Sequence, residues 1–214
     1  MRDIAYLKLL AREYPTIQSA STEIINLTAI QGLPKGTEYF FSDLHGEHEA
    51  FIHLLRSSSG IIREKIKETF GYVIPEDEQD ELANLIYYPK RTLNQLAQSD
   101  SDHNNDDWKR ITIYRLLCKQ VSSKYTRSKV RKKLPPDFAY VIDELLHVDY
   151  NADNKKVYYS EIVQTIIDIG SADQFICVLC ELIQNLTIDN LHIIGDIYDR
   201  GPRADIIMNE LMCF

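Results

Sequence analysis

Two short strand-like segments, each ending on an acidic residue and each followed by helix-like sequence, stand far apart in this chain. They are residues 37–43 (TEYFFSD) and 191–196 (LHIIGD), which place Asp43 and Asp196 153 positions apart. The first is aromatic and follows the turn-forming Pro34-Lys-Gly36; the second is apolar and follows Asp189-Asn190. Short apolar strands without strict alternation suit a sheet covered on both faces, which predicts an α/β layer. Helix-like sequence follows at 47–56 and again at 202–212. The roughly 120 residues between the two strand–helix units exceed any ordinary crossover. They are expected to form an inserted helical subdomain or a cap over a sheet edge.

The block reads as helix throughout. Trp108, Ile111, Tyr114, Leu117, Cys118 and Val121 recur at three- and four-residue steps, as do Ile162, Val163, Ile166 and Ile167, with Gly170 marking a helix end. Phe175, Leu179, Leu182 and Leu186, flanked by Ile176, Cys180 and Ile183, give the wide apolar face of a well-buried helix. Residues 135–137 (PPD) are predicted to start a helix reaching about His147, and the first 30 residues read as two helices broken at Pro15. Residues 99–107 (SDSDHNNDD) are the one low-complexity stretch, predicted to be a polar connector.

Composition narrows the function classes. At 44% hydrophobic and 26% charged residues, the 214-residue chain has the balance of a globular domain. No apolar run approaches the roughly 18–20 residues of a membrane span. The start, MRDIAYLKLLAREYP, carries charges through its apolar stretch and lacks a signal-peptide core. A net charge of −8 argues against nucleic-acid binding through a global positive field. Four cysteines without an export signal read as reduced thiols, and a cytoplasmic location with no membrane partner is expected. Cys177 and Cys180 form a C-x-x-C inside an apolar helical run, where they read as small buried hydrophobes rather than a redox pair.

The chemistry-bearing residues gather at the strand ends. In Ser42-Asp43-Leu44-His45-Gly46-Glu47, alternation lets Asp43 and His45 project to the same side, and Gly46 frees the backbone to turn. In Gly195-Asp196-Ile197-Tyr198-Asp199-Arg200-Gly201-Pro202, three charged side chains fall within five positions, bounded by glycines and followed by a proline at a helix start. Read singly, these are a capping Asp with a surface His, and a salt-bridged Asp199–Arg200 turn. Together, on the rim where open α/β sheets bind ligands, they mark a site.

The pair D-x-H-G and G-D-x-x-D-R-G resembles the first two signature blocks of the calcineurin-like metallophosphoesterases. The wider match, residues 39–47 (YFFSDLHGE), 50–56 (AFIHLLR) and 195–202 (GDIYDRGP), resembles the class III fructose-1,6-bisphosphatases, as does the long helical insertion between the blocks. The likeness runs over the whole chain. It implies a partial metallophosphoesterase core at 1–57 and 188–214 with a helical insertion at 58–187, helix-dominated overall. By the same resemblance Asp43 and His45 bind one metal, and Asp196 bridges it to a second. Asp199 orients a ligand or water, and Arg200 contacts the substrate phosphate. The implied cofactor is a pair of divalent ions, Mn²⁺ first and Mg²⁺ as the alternative; two such ions about 3.5–4 Å apart clamp a phosphoryl group and activate a water. Arg supplies a bidentate fork for phosphate oxygens.

The implied reaction is hydrolysis of fructose 1,6-bisphosphate to fructose 6-phosphate in gluconeogenesis. The rivals are another calcineurin-like phosphatase, acting on phosphoprotein or dinucleotide, and a non-catalytic helical module with a vestigial metal half-site. One departure stands out: no G-N-H block occurs in the 214 residues. The chain is therefore expected to be an N-terminal piece, inactive by itself, with exposed edges that favour a homo-oligomer. The family pattern gives His48 no ligand role. His53 is expected to be a satisfied, partly buried side chain and His192 to serve packing. The run 124–133 (KYTRSKVRKK) holds six basic residues and no acid, and reads as a solvated segment or, alternatively, an anion site.

Overall fold

The computed structural model describes residues 4–98, 103–147 and 153–214, without the side chains of 103–105 and 153–154. Two helices open the chain, α1 (Ile4–Glu13) and α2 (Ile17–Gln31), separated at Pro15 as predicted. Thr16 starts α2 with a reciprocal cap: its hydroxyl accepts the Ser19 N–H, and Ser19 Oγ accepts the Thr16 N–H. Neither helix buries a residue.

Strand β1 (Glu38–Phe41) leads into α3 (His48–Ser57). Left-handed residues at Ser58, Ser59 and Gly60 then break the chain away from α3 and into α4 (Ile61–Phe70). The block continues through α5 (Glu76–Tyr87), α6 (Pro89–Leu96), α7 (His103–Ser122), α8 (Arg127–Lys133), α9 (Ala139–His147), α10 (Asp153–Asp168) and α11 (Ala172–Thr187). Strand β2 (Asn190–Ile193) and α12 (Ala204–Cys213) complete the described chain.

Nine residues of α11 are buried, among them Phe175, Ile176, Leu179, Leu182, Ile183 and Leu186, each stabilised by about 1.5–3 kcal/mol relative to exposure. They pack on Ile111, Tyr114, Leu117 and Cys118 of α7, so the two periodicities read from sequence face each other across the helical core. Cys118 and Cys180 are fully buried there, their thiols pushed up by burial, and Cys177 is half-buried. All three are inert hydrophobes. Gly170 takes φ +69° after α10, the left-handed turn expected at a helix end.

β1 and β2 pair in parallel, Glu38 opposite Asn190 through Phe41 opposite Ile193. Among the described residues this pair is the whole sheet. Tyr39, Phe41, Leu191 and Ile193 face a second apolar cluster built on Phe51 of α3 and Ile207 of α12. The opposite face is bare: Phe40, stacked on His192 at 4.5 Å, is 61% exposed and Ile194 72%. The expectation of a sheet covered on both faces is thus corrected. The short strands do alternate, and only one set of side chains meets helices.

Two boundaries also differ from the sequence reading. Of the polar connector, residues 99–102 lie outside the description, whereas 103–107 belong to α7, where Asp106 and Asp107 pair with Arg110 one turn on. The helix assigned to 135–137 begins instead at Ala139, after a turn. Among the described residues no helix is long and apolar enough to cross a membrane.

Candidate metal centre

Both strands stop because the next residues leave extended backbone. After β1, Asp43 (φ +57°), His45 (φ +46°) and Gly46 (φ +70°) are left-handed; after β2, so are Asp196 (φ +53°) and Arg200 (φ +71°). Asp and His tolerate this region better than most side chains, yet each such residue still costs of order 1–3 kcal/mol. The strain persists because the two loops are bonded to each other. The His45 N–H donates to the Asp196 carbonyl at 2.7 Å, the Gly46 N–H to the Ile197 carbonyl at 2.9 Å, and the Arg203 N–H to the Gly46 carbonyl at 3.3 Å. Gly46 and Gly201 make the approach sterically feasible: a Cβ on Gly46 would come within 2.7 Å of the Gly201 carbonyl oxygen, and one on Gly201 would overlap the His45 carbonyl oxygen.

These contacts bring Asp43, His45 and Asp196 together, with one ligand atom of each within 4.8 Å of the others. His45 Nε2 lies 3.6 Å from an Asp43 carboxylate oxygen, and His45 Nδ1 lies 2.8 Å from Asp199 Oδ1. An ionised Asp199 can only accept, so Nδ1 carries a proton, and Nε2 is the ring atom left facing the carboxylates as a ligand atom. The His45 hydrogen bond holds the Asp199 carboxyl below its usual range; burial opposes this slightly, and Arg200 adds its charge. Arg200 Nε sits 3.3 Å from Asp199 Oδ2, its side chain 79% exposed beside the cluster. Two carboxylates and one imidazole are a donor set for a divalent ion, and a carboxylate behind the imidazole is the usual support for a metal-binding His.

The other singled-out residues lie elsewhere. His48 opens α3; His53 bonds the Tyr88 hydroxyl at 2.8 Å and stacks on its ring, satisfied but on the surface. His192 packs, though on the bare face of the sheet. The basic run is exposed over most of its length, as read, but its cations are largely paired. Arg127 and Arg131 both bond Asp143, at 2.8 and 2.6 Å, while Lys124 and Lys129 bond Asp189, at 2.7 and 3.3 Å. Four of the six cations are thereby used internally by carboxylates 12 to 65 positions away in sequence, a pairing with no local signature. A cleft of about 810 Å³ between α5, α6 and α7, lined by Glu78, Arg91 and Lys109 among others, contains none of the cluster residues.

The family described as Firmicute fructose-1,6-bisphosphatase matches residues 5–214, and the chain belongs to it. It is 57% identical over 213 residues to a class 3 fructose-1,6-bisphosphatase of Clostridium novyi, an alignment covering 99% of this chain and 32% of the relative. Proteins of the same description from Listeria monocytogenes and Clostridioides difficile are each 54% identical, over 98% of this chain and 32% of their own length. The resemblance to the class III fructose-1,6-bisphosphatases is borne out. The chain spans about a third of the length of the curated relatives it matches. No solved structure matches it significantly.

Proposed function

We propose that this chain carries the first part of a metal-dependent fructose-1,6-bisphosphatase site. Asp43 and His45 would hold one divalent ion, Mn²⁺ by preference, and Asp196 would share its carboxylate with a second. The observation that carries the reading is the junction of the strand-end loops: three ligand-type side chains within 4.8 Å, with His45 Nδ1 tied to Asp199 so that Nε2 faces the carboxylates. Divalent ions there supply charge stabilisation at phosphoryl oxygens and lower the pKa of water to near neutrality.

The chain's own residues do the rest. Asp199 keeps the proton on Nδ1 and the ring in its orientation. Arg200, exposed beside the cluster, offers a planar fork to a phosphate, at the expense of its 3.3 Å pairing with Asp199. The paired backbone of the two loops holds Asp43 and Asp196 in register with each other. Residues 1–57 and 188–214 form part of a metallophosphoesterase core, and 58–187 an insertion; their separate apolar clusters and the left-handed break at 58–60 support that division. The parent acts in gluconeogenesis in the cytoplasm, on a sugar bisphosphate.

A chimaera tests the proposal. With residues 1–214 joined to the remaining two thirds of the Clostridium novyi relative, Mn²⁺-dependent phosphate release from fructose 1,6-bisphosphate is expected, and Asp196→Asn should abolish it. Near-normal turnover of that variant at saturating metal would contradict the assignment.

A further inference from the structure

We infer that Asp189 is a positioning residue for the Asp43–His45–Asp196 cluster, fixing the register of β1 against β2 from the opposite end of the strands. The inference rests on reading the cluster as a metal site. The ladder is only four residues long on each strand, so few rungs resist a slip beyond the packing of its one covered face, Tyr39, Phe41, Leu191 and Ile193. A slip of one residue would move the strand ends past each other by about 3.3 Å and turn each side chain to the other face. That displacement would carry Asp43 and His45 past Asp196, whose ligand atoms now lie within 4.8 Å of one another.

Asp189 opposes the slip with a closed pair of bonds. Its Oδ2 accepts the Thr37 N–H at 2.8 Å, and its own N–H donates to the Thr37 carbonyl at 2.9 Å. Thr37 immediately precedes β1 and Asp189 immediately precedes β2, so this pair sets the first rung. The Asp189 side chain, 8% exposed, is itself fixed by the helical block. Lys124 Nζ bonds it at 2.7 Å and also reaches Thr37 Oγ1 at 3.2 Å and the Thr187 carbonyl at 2.8 Å; Lys129 bonds its second oxygen at 3.3 Å. Gly36 closes the junction, since a Cβ there would lie 2.7 Å from Asp189 Cγ. The basic run beginning at Lys124 thus anchors, through one carboxylate, the strand pair whose far ends carry the ligands.

The test compares two uncharged double variants of the chain that differ in a single acceptor. Asp189→Asn/Lys124→Met keeps an oxygen for the Thr37 N–H; Asp189→Leu/Lys124→Met has nearly the same shape and none. Cross-strand NOEs recorded without metal report the register, and a Co²⁺ titration reports affinity and, through its visible bands, the ligand set. The Asn variant is expected to keep the native NOEs and Co²⁺ spectrum. The Leu variant should lose the Tyr39–Leu191 register, bind Co²⁺ about tenfold or more weakly with altered bands, and retain its helical circular dichroism. Identical behaviour of the two variants overturns the inference, as does weakened Co²⁺ binding with native NOEs in the Leu variant. If the unaltered chain binds no Co²⁺, the metal reading fails, while the NOE comparison still decides whether Asp189 sets the register.

Discussion

His45 Nδ1 and Asp199 Oδ1 lie 2.8 Å apart although 154 positions separate them, so the two motif blocks are joined by a side-chain bond as well as by backbone. The bond fixes both the tautomer and the ring plane of His45. Asp199→Ala is therefore expected to weaken Mn²⁺ binding by about 10–100-fold, the usual cost of removing the carboxylate behind a ligating imidazole. Calorimetric titration of the chain and the variant measures it; equal affinities would show that Asp199 does not orient the ligand.

Gly201→Ala should damage the same site by another route. The new methyl would overlap the His45 carbonyl, and the neighbouring atoms are backbone that cannot rotate away. Overpacking of this kind costs about 1–3 kcal/mol. The loss should fall on the loops, with Mn²⁺ affinity reduced while the helical signal at 222 nm, which comes mainly from α4–α11, melts near its original temperature.

Asp143 and Asp189 make stability fall in acid. For Asp143 the Arg127 hydrogen bond is the leading cause of a carboxyl held at about 2; burial opposes it and Arg131 reinforces it. For Asp189 burial is the largest effect and acts upward, but bonds from Lys124, Tyr125 and the Thr37 N–H together outweigh it and also leave it at about 2. Unfolded carboxyls of this type titrate near 3.9, so the folded state binds fewer protons. The stability from these groups is present above about pH 4 and lost as pH falls toward 2. Asp143→Asn should cost about 2 kcal/mol at pH 7, because the bonds it removes are charge-assisted. Urea unfolding should find that cost shrinking to near zero by pH 2; a cost independent of pH would contradict the ion-pair origin.

The parts of the fold legible in sequence were those with local causes. Periodicity placed α7 and α11, Pro15 split α1 from α2, and acidic residues closing short apolar runs located both loops of the cluster. Partnerships were less legible. Nothing near Lys124, Arg127 or Asp189 announces which carboxylate faces which cation, because the match is made in three dimensions, where α8 packs on α11 and its cations reach Asp143 of α9 and Asp189 before β2. Nor does the amphipathic pattern of α1 and α2 reveal that neither helix buries a residue. The left-handed backbone at Asp43, His45 and Asp196 was also invisible, since only Gly46 signalled it and the others are held by bonds across the two loops.

Exposed surface predicts self-association. Among the described residues a broad apolar surface is left open. Ile17, Ile24 and Ile25 of α2 and Phe40 of the bare sheet face contribute to it. Sedimentation should find dimers or larger species at micromolar concentration, reduced by Ile17→Glu with Ile25→Glu. A monodisperse monomer at high concentration would contradict this.

The most direct measurement is electron paramagnetic resonance of Mn²⁺ added to the chain, with pulsed detection of coupled nitrogen. A saturable bound signal with one imidazole nitrogen is predicted, the nitrogen coupling lost in His45→Ala and binding sharply weakened in Asp43→Ala and Asp196→Ala. Mn²⁺ that stays free in solution, or a bound signal unchanged by all three substitutions, would contradict the assignment of this cluster as a metal centre.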